Sequence, residues 1–290
     1  MDGFVKALMQ TQDRLIAGVP ADKRLFSKQL GQELTGKPPV AIMISGLRGT
    51  GKTVSLLQNL PQDGFYFRAD NIGFRKHTLQ EVVAYAYANL GKTSFFIDEV
   101  HTYQLWQEEI KGLYDDYPGL RLVMSGSSSI RLVDAGADLS RRLKVIAAEP
   151  LFFHEFLELK FHSAPPLFSL ERILGEPLQT ALAIEKKYPA VHALFHEYMR
   201  IGGFPIYFHD KDVIPLVMNG IDAILQTDLG YVAPSLTQKI SLKARPILLY
   251  LASSKPGEFS LESLGLRFAS HHILLLRHPA AQYPLRVPRR

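Results

Sequence analysis

The chain has 290 residues, 47% hydrophobic and 21% charged, which suits a soluble globular protein with one α/β core and smaller appendages. It has no cysteine, so disulfide frameworks and thiolate metal sites are excluded and a reducing cytoplasm is the expected compartment. The formal charge is +5, but Arg267, Arg277, Arg286, Arg289 and Arg290 carry that whole excess and residues 263–290 hold no acid, so the basicity belongs to the tail.

Asp2, Lys6, Asp13 and Arg14 leave no apolar core for a signal peptide, and no run reaches the roughly 18 apolar residues of a membrane span. Residues 1–37 predict a helical covering segment, with Phe4, Leu8, Leu15 and Ile16 near helical spacing and a break at Gly36-Lys37-Pro38-Pro39. Ala41 to Ile44 then reads as a buried strand. It runs into Gly46-Leu47-Arg48-Gly49-Thr50-Gly51-Lys52-Thr53, and Val54, Leu56, Leu57 and Leu60 supply the apolar side of a following helix. Strand, glycine-rich loop and helix are the context a phosphate-binding loop requires. Glycines let the backbone wrap so that successive N–H groups face phosphate oxygens, and the helix dipole favours the same charge. Residues Gly46 to Val54 are therefore the candidate nucleotide cradle. Lys52 would reach the β- and γ-phosphates, and the Thr53 hydroxyl would complete a Mg²⁺ shell. An ordinary glycine-rich turn would leave the Lys-Thr pair unexplained.

Gly64 to Ala69 is strand-like, and Thr78 to Leu90 predicts a helix with a Thr78/Glu81 capping box and a Gly91 stop. This alternation implies a parallel sheet covered on both faces. Ser94-Phe95-Phe96-Ile97-Asp98-Glu99 is an apolar strand ending in two acids, which places Asp98 at the carboxyl edge where α/β ligands bind. Asp98 would hold Mg²⁺, mostly through water, and Glu99 would act as general base on the attacking water. The alternative, a solvated acidic turn, does not account for a position about 45 residues after a phosphate loop. His101 either senses the γ-phosphate or is a plain loop residue. Trp106, Ile110 and Leu113 mark the packed face of a helix. Leu120 to Met124 predicts a further strand. After it, Ser125 and Ser127 either contact the γ-phosphate and lytic water or cap a helix beginning near Ile130. Arg141 and Arg142 precede the last strand at Val145-Ile146. They suit either an arginine finger supplied to a neighbouring subunit or a solvated helix end.

From Pro150 the pattern is helical. Phe152, Phe153, Phe156 and Leu157 are expected on one face, Leu178–Ile184 and Val191–Met199 keep helical spacing, Gly202-Gly203-Phe204-Pro205 is a sharp turn, and another helix covers 211–228. An amphipathic helix follows through Leu242, Ile247, Leu248 and Leu251. Pro279, Pro284 and Pro288 then bar a long closing element, so the last fifteen residues are expected to be poorly ordered. The basic tail either binds nucleic acid weakly or is solvated.

Together these motifs resemble the AAA-like ATPase family of bacteria and archaea whose longer members carry a restriction-endonuclease-like C-terminal domain. The resemblance covers 40–262 and rests on Gly46 to Thr53, Phe96 to His101 with Trp106 and Lys111, Ser125 to Ser128, Leu139 to Arg142, Pro150 to Phe156, and Gly202 to Pro205. It implies an α/β P-loop NTPase three-layer sandwich with a parallel sheet of order 5-1-4-3-2, a helical lid and a partial winged-helix segment. The matching divisions are a helical segment at 1–37, the ATPase core at 38–150, the lid at 151–235, and the winged-helix segment with tail at 236–290. In family terms the loop is a Walker A and the acids a Walker B. Asp98, Glu99, Ser125 and one of Arg141 or Arg142 would carry the metal, base, sensor and finger roles, with Arg200 as a lid arginine. Family members continue through a complete winged helix and usually a nuclease-like domain, so this chain looks like a shortened version. The implied activity is cytoplasmic, Mg²⁺-dependent ATP hydrolysis, with adenine favoured because no N-K-x-D base-reading motif is present. The alternatives are a nucleotide-gated switch with little turnover and a DNA-binding module.

Overall fold

The apolar runs that end at Gly46, Arg68, Asp98 and Ser127 become neighbouring strands because each has side chains to bury on both faces. The computed structural model describes residues 1–35, 41–127, 142–201, 203–210, 212–225 and 237–254. The strands are β1 (Ala41–Gly46), β2 (Gly64–Arg68), β3 (Ser94–Asp98), β4 (Arg121–Ser127) and β5 (Leu143–Ala147). All pair in parallel in the order β2-β3-β4-β1-β5, the expected 5-1-4-3-2 order read from the other edge. This is the α/β fold of a P-loop NTPase.

Side-chain alternation within each strand sorts the core into two layers. Met43, Phe65, Phe67, Phe95, Ile97, Leu122 and Met124 point to one face. Helices α1 (Asp2–Ile16), α4 (Leu79–Leu90) and α5 (Trp106–Asp116) cover it, with Val5, Leu8, Val82, Val83, Ile110 and Leu113 buried. Ile42, Ile44, Tyr66, Phe96, Val123 and Ile146 point to the other face. There α2 (Leu25–Thr35) and α3 (Lys52–Gln58) bring Phe26, Leu30, Leu56 and Leu57. Each such side chain contributes about 1.5–3 kcal/mol when fully withdrawn from water. Helix α4 starts and stops where expected, with the Thr78/Glu81 capping box formed and Gly91 left-handed at φ 60°. β2 is an edge strand, and the Gln12 side chain of α1 accepts the Tyr66 backbone N–H at 2.7 Å, satisfying a donor the sheet leaves over.

β4 runs further than its apolar residues indicate. Ile44 pairs with Ser125 and Gly46 with Ser127, so both serines are strand residues held by the ladder of β1. Beyond β5 the described chain is helical: α6 (Phe153–Phe161), α7 (Leu170–Gly175), α8 (Pro177–Lys187), α9 (Val191–Ile201) and α10 (Val213–Ala223). Phe156, Leu157 and Tyr188 are buried there, with Phe153, Tyr198, Tyr207 and Phe208 packed around them. Phe152 departs from the expected apolar face. Its extended backbone (φ −74°, ψ 156°) precedes the first turn of α6 and leaves the ring 48% exposed.

The chain divides into two compact units, Met1–Val232 and Ala233–Arg290. In the second, the expected amphipathic helix is α11 (Thr237–Ser253), which contains Pro246. The remaining positions of the expected winged-helix segment and the basic tail lie outside the described residues. No described helix is long and apolar enough to cross a membrane.

Candidate nucleotide site

The loop after β1 is shaped by its glycines. A Cβ on Gly46 would stand 2.2 Å from the Ala148 carbonyl oxygen, because the chain leaving β5 passes directly against the end of β1. Gly49 and Gly51 sit at φ 81° and 92°, the left-handed region where other residues are strained. The turn they create ends in α3, whose first residue is Lys52. Lys52 is only 5% exposed, and its ammonium reaches back across the loop to donate to the Gly46 and Leu47 carbonyls at 2.8 and 2.9 Å. The Thr50 hydroxyl also donates to the Leu47 carbonyl, at 2.9 Å. Leu47, Arg48 and Gly49 form the exposed rim, while Thr53 and Val54 are half-buried on α3.

Strand parity delivers the second half of the site. Ile97 points to the α4/α5 face, so Asp98 points to the opposite one, under α3. Its carboxylate is fully buried and collects three hydroxyl donors. Thr53 Oγ1 donates to Oδ2 at 2.7 Å, Tyr66 Oη donates to the same oxygen at 2.9 Å, and Ser125 Oγ donates to Oδ1. The Tyr66 phenol is pushed far above its usual range, first by burial and then by the Asp98 charge, so it remains a donor at neutral pH. Ser125 Oγ also accepts the Glu99 N–H at 3.1 Å. Glu99 itself is left-handed (φ 53°, ψ 39°), an unusual state for a side chain of its size. Burial raises its carboxyl above the ordinary range, the Asp98 charge adds to that, and Lys52, Arg48 and Arg68 partly offset it. His101 is buried rather than a solvated loop residue, with Nδ1 at 3.6 Å from Glu99 Oε2.

A hydroxyl and a carboxylate in contact are hard oxygen ligands of the kind Mg²⁺ takes, with the rest of its shell from water and phosphate. Among the described residues no group of three or more His, Cys, Asp or Glu is arranged to hold a metal.

The structure thus brings Lys52, Thr53, Asp98, Glu99 and Ser125 together. Ser127 lies two residues further along β4, opposite Gly46. Arg142 lies elsewhere. It precedes β5 at the sheet edge opposite the loop, where its guanidinium pairs with Asp115 and stands 5.4 Å over the Tyr114 ring. Arg141 is outside the described residues. Arg200 is exposed in the last turn of α9. Two contributors escape a residue-by-residue reading. Tyr66 belongs to a strand that carries no motif, although its even-numbered parity with Phe96 and Asp98 is a usable signal. Arg24, between α1 and α2, ion-pairs with Glu155 of α6 and donates to the Thr50 carbonyl at 2.7 Å. The turn after α9 also approaches the loop, with Phe204 Cδ1 at 3.6 Å and Pro205 Cγ at 3.9 Å from where Cβ atoms on Gly49 and Gly51 would lie.

Residues 39–157 match a family model described as an AAA domain. None of the curated proteins compared with the chain matches it. Among solved structures, the Orc1 protein of Aeropyrum pernix in complex with DNA is 16% identical, covering 87% of this chain and 78% of that one with a TM-score of 0.37. The Pif1 helicase of Candida albicans is 12% identical over 47% of this chain with a TM-score of 0.33, and the aligned part spans 42% of that helicase. The family match takes in the glycine loop, both acids, Ser125 and Glu155, so residues 39–157 of this chain are similar to an AAA domain.

Proposed function

We propose that the protein binds ATP at Gly46–Val54 and hydrolyses it with Mg²⁺. The observation that carries this reading is the 2.7 Å contact between Thr53 Oγ1 and Asp98 Oδ2, which joins the loop helix to the acid-bearing strand and pairs two oxygens that could both serve one divalent ion. Lys52 would exchange the Gly46 and Leu47 carbonyls for β- and γ-phosphate oxygens. A divalent cation held by Thr53 and, mostly through water, by Asp98 would neutralise charge on those phosphates. Glu99 takes a proton from the attacking water as its oxygen bonds to the γ-phosphorus. The bridging P–O bond breaks, and ADP leaves with the electron pair. Little further covalent chemistry is needed from the protein. Ser125 holds the Asp98 carboxylate and the Glu99 backbone in register for this step. Arg142 stands at the far edge of the sheet, so it would serve as a finger only toward a neighbouring copy's nucleotide.

Lys52→Ala is expected to abolish nucleotide binding, and Glu99→Gln to bind ATP but release phosphate at least about a hundredfold more slowly. Normal turnover by Glu99→Gln would remove the base assignment. A slow, switch-like cycle is the second reading, favoured by the Glu99 carboxylate lying beside His101 with its proton affinity raised. Sustained phosphate release beyond one equivalent per chain excludes it. Sizing the protein with and without ATP tests the proposed assembly through the finger.

A further inference from the structure

Five hydrogen bonds converge on one buried ion pair. Arg24 Nε and Nη2 donate to Glu155 Oε1 and Oε2 at 3.1 and 2.9 Å. The Leu25 and Phe152 backbone N–H groups donate to the same two oxygens at 2.9 and 3.1 Å. Arg24 Nη1, the remaining arm of the fork, donates to the Thr50 carbonyl at 2.7 Å. The side chains are 8% and 3% exposed. Burial by itself would raise the Glu155 carboxyl, yet Arg24 and the two amides hold it below the ordinary range. A buried ion pair is a weak source of net stability, because desolvation cancels much of the attraction, so its geometry calls for a separate account. It joins three segments: the link between α1 and α2, the phosphate loop, and the root of α6.

The geometry of the peptide unit gives that account. In a trans peptide the carbonyl and the next N–H point in opposite directions, and no described peptide is cis. Holding the Thr50 oxygen toward Arg24 therefore turns the Gly51 N–H away from Arg24. Gly51 has no Cβ to fix that plane, and at φ 92° it is conformationally permissive. Something outside the loop must hold it. We propose that Arg24, braced by Glu155, is a positioning residue for the phosphate loop: it aims the Gly51 N–H at the bound phosphate and makes that aim depend on the root of the helical lid. The inference rests on the nucleotide reading above. A lysine cannot reproduce the arrangement, because one ammonium does not supply a planar fork for Glu155 and a third donor for Thr50 together.

The test compares the wild type with Arg24→Lys and with a double variant, Arg24→Met/Glu155→Gln, which removes both charges while keeping an acceptor for the Leu25 or Phe152 amide. A fluorescent ATP analogue and inorganic pyrophosphate report binding, steady-state kinetics report KM and kcat, and urea unfolding without ligand reports folding. The double variant is expected to unfold near the wild-type midpoint yet bind both probes about tenfold more weakly, as misdirecting one charge-assisted hydrogen bond implies. Its KM should rise with kcat little changed, and Arg24→Lys should fall between. Folded variants with wild-type affinity would overturn the proposal, and Arg24→Lys preserves that outcome if the double variant does not fold. A wild type that binds neither probe would instead overturn the nucleotide reading itself.

Discussion

Tyr66 offers the sharpest perturbation of the acid cluster, because Tyr66→Phe deletes one oxygen and leaves the ring in place. Tyr66 is 1% exposed and packed in the layer with Phe96, Val123 and Leu56, so phenylalanine leaves only a hydroxyl-sized gap. The hydroxyl donates to Asp98 Oδ2 at 2.9 Å, where it shares that oxygen with Thr53. Hydrogen bonds to charged groups contribute about 1.5–3 kcal/mol, and here one donor of three is lost from a carboxylate without access to water. A loss near 2 kcal/mol is therefore expected, read as a lower urea midpoint at unchanged m-value. The same deletion leaves Asp98 Oδ2 held by Thr53 alone, so the Mg²⁺ concentration that half-saturates tightening of ATP binding should rise. ATP affinity without metal should not move. Stability and metal dependence both at wild-type values would refute the argument that Tyr66 holds this carboxylate.

Gly46→Ala places a methyl 2.2 Å from a backbone oxygen of the residue after β5, and neither strand can shift without breaking the ladder, so loss of soluble protein is expected in an expression trial. Glu99→Gln should stabilise the ligand-free protein at pH 7. The folded carboxyl has a raised proton affinity, so the folded state binds more protons than the unfolded chain, and stability falls as pH climbs from the ordinary glutamate range through the folded value. The amide removes that cost. Its advantage in urea midpoint should shrink as pH is lowered toward the ordinary range, and no gain at pH 7 would contradict the burial argument. Arg142→Ala loses a partly exposed ion pair with Asp115, so its unfolding free energy from urea titration should fall by less than about 1 kcal/mol. ATP affinity of the isolated chain should be unchanged, and any loss of turnover should appear only where copies associate.

The glycine loop was legible in the sequence because its chemistry is local: eight consecutive residues specify turn, ammonium and hydroxyl without reference to anything distant. Asp98 and Glu99 were legible for a related reason, since an apolar strand can end in acids at a carboxyl edge whatever its neighbours are. Ser125 was found as a candidate, but its place inside β4 was not, because polar residues there are held by pairing with Ile44 and not by their own preference for strand. Tyr66 depends on a diagonal contact between β2 and β3, set by register, which no local pattern fixes. Arg24 and Glu155 lie 131 positions apart, and their pairing exists only once the first turn of α6 folds back beside the loop.

Convergence of three hydroxyls on Asp98 also bears on what must move when a nucleotide arrives. A buried carboxylate is costly without hydrogen-bond donors, and Thr53, Tyr66 and Ser125 supply them from a helix and two strands. Only one of the three can change role. Thr53 stands at the start of α3 beside the loop, where its oxygen can turn from donating to Asp98 to coordinating a cation, whereas Tyr66 and Ser125 are locked in fully packed strands. Lys52 has a matching choice, since the two loop carbonyls it holds are replaceable by phosphate oxygens of higher charge. Arg24 has none, because its guanidinium is committed on every side to Glu155 and Thr50. The site therefore separates into two exchangeable contacts, Thr53 and Lys52, and a fixed frame of Tyr66, Ser125 and Arg24 that holds its shape while they exchange. On the proposed nucleotide reading, binding energy would not be consumed in assembling the frame, which is how preorganised hydrogen-bond donors serve charge-dominated chemistry.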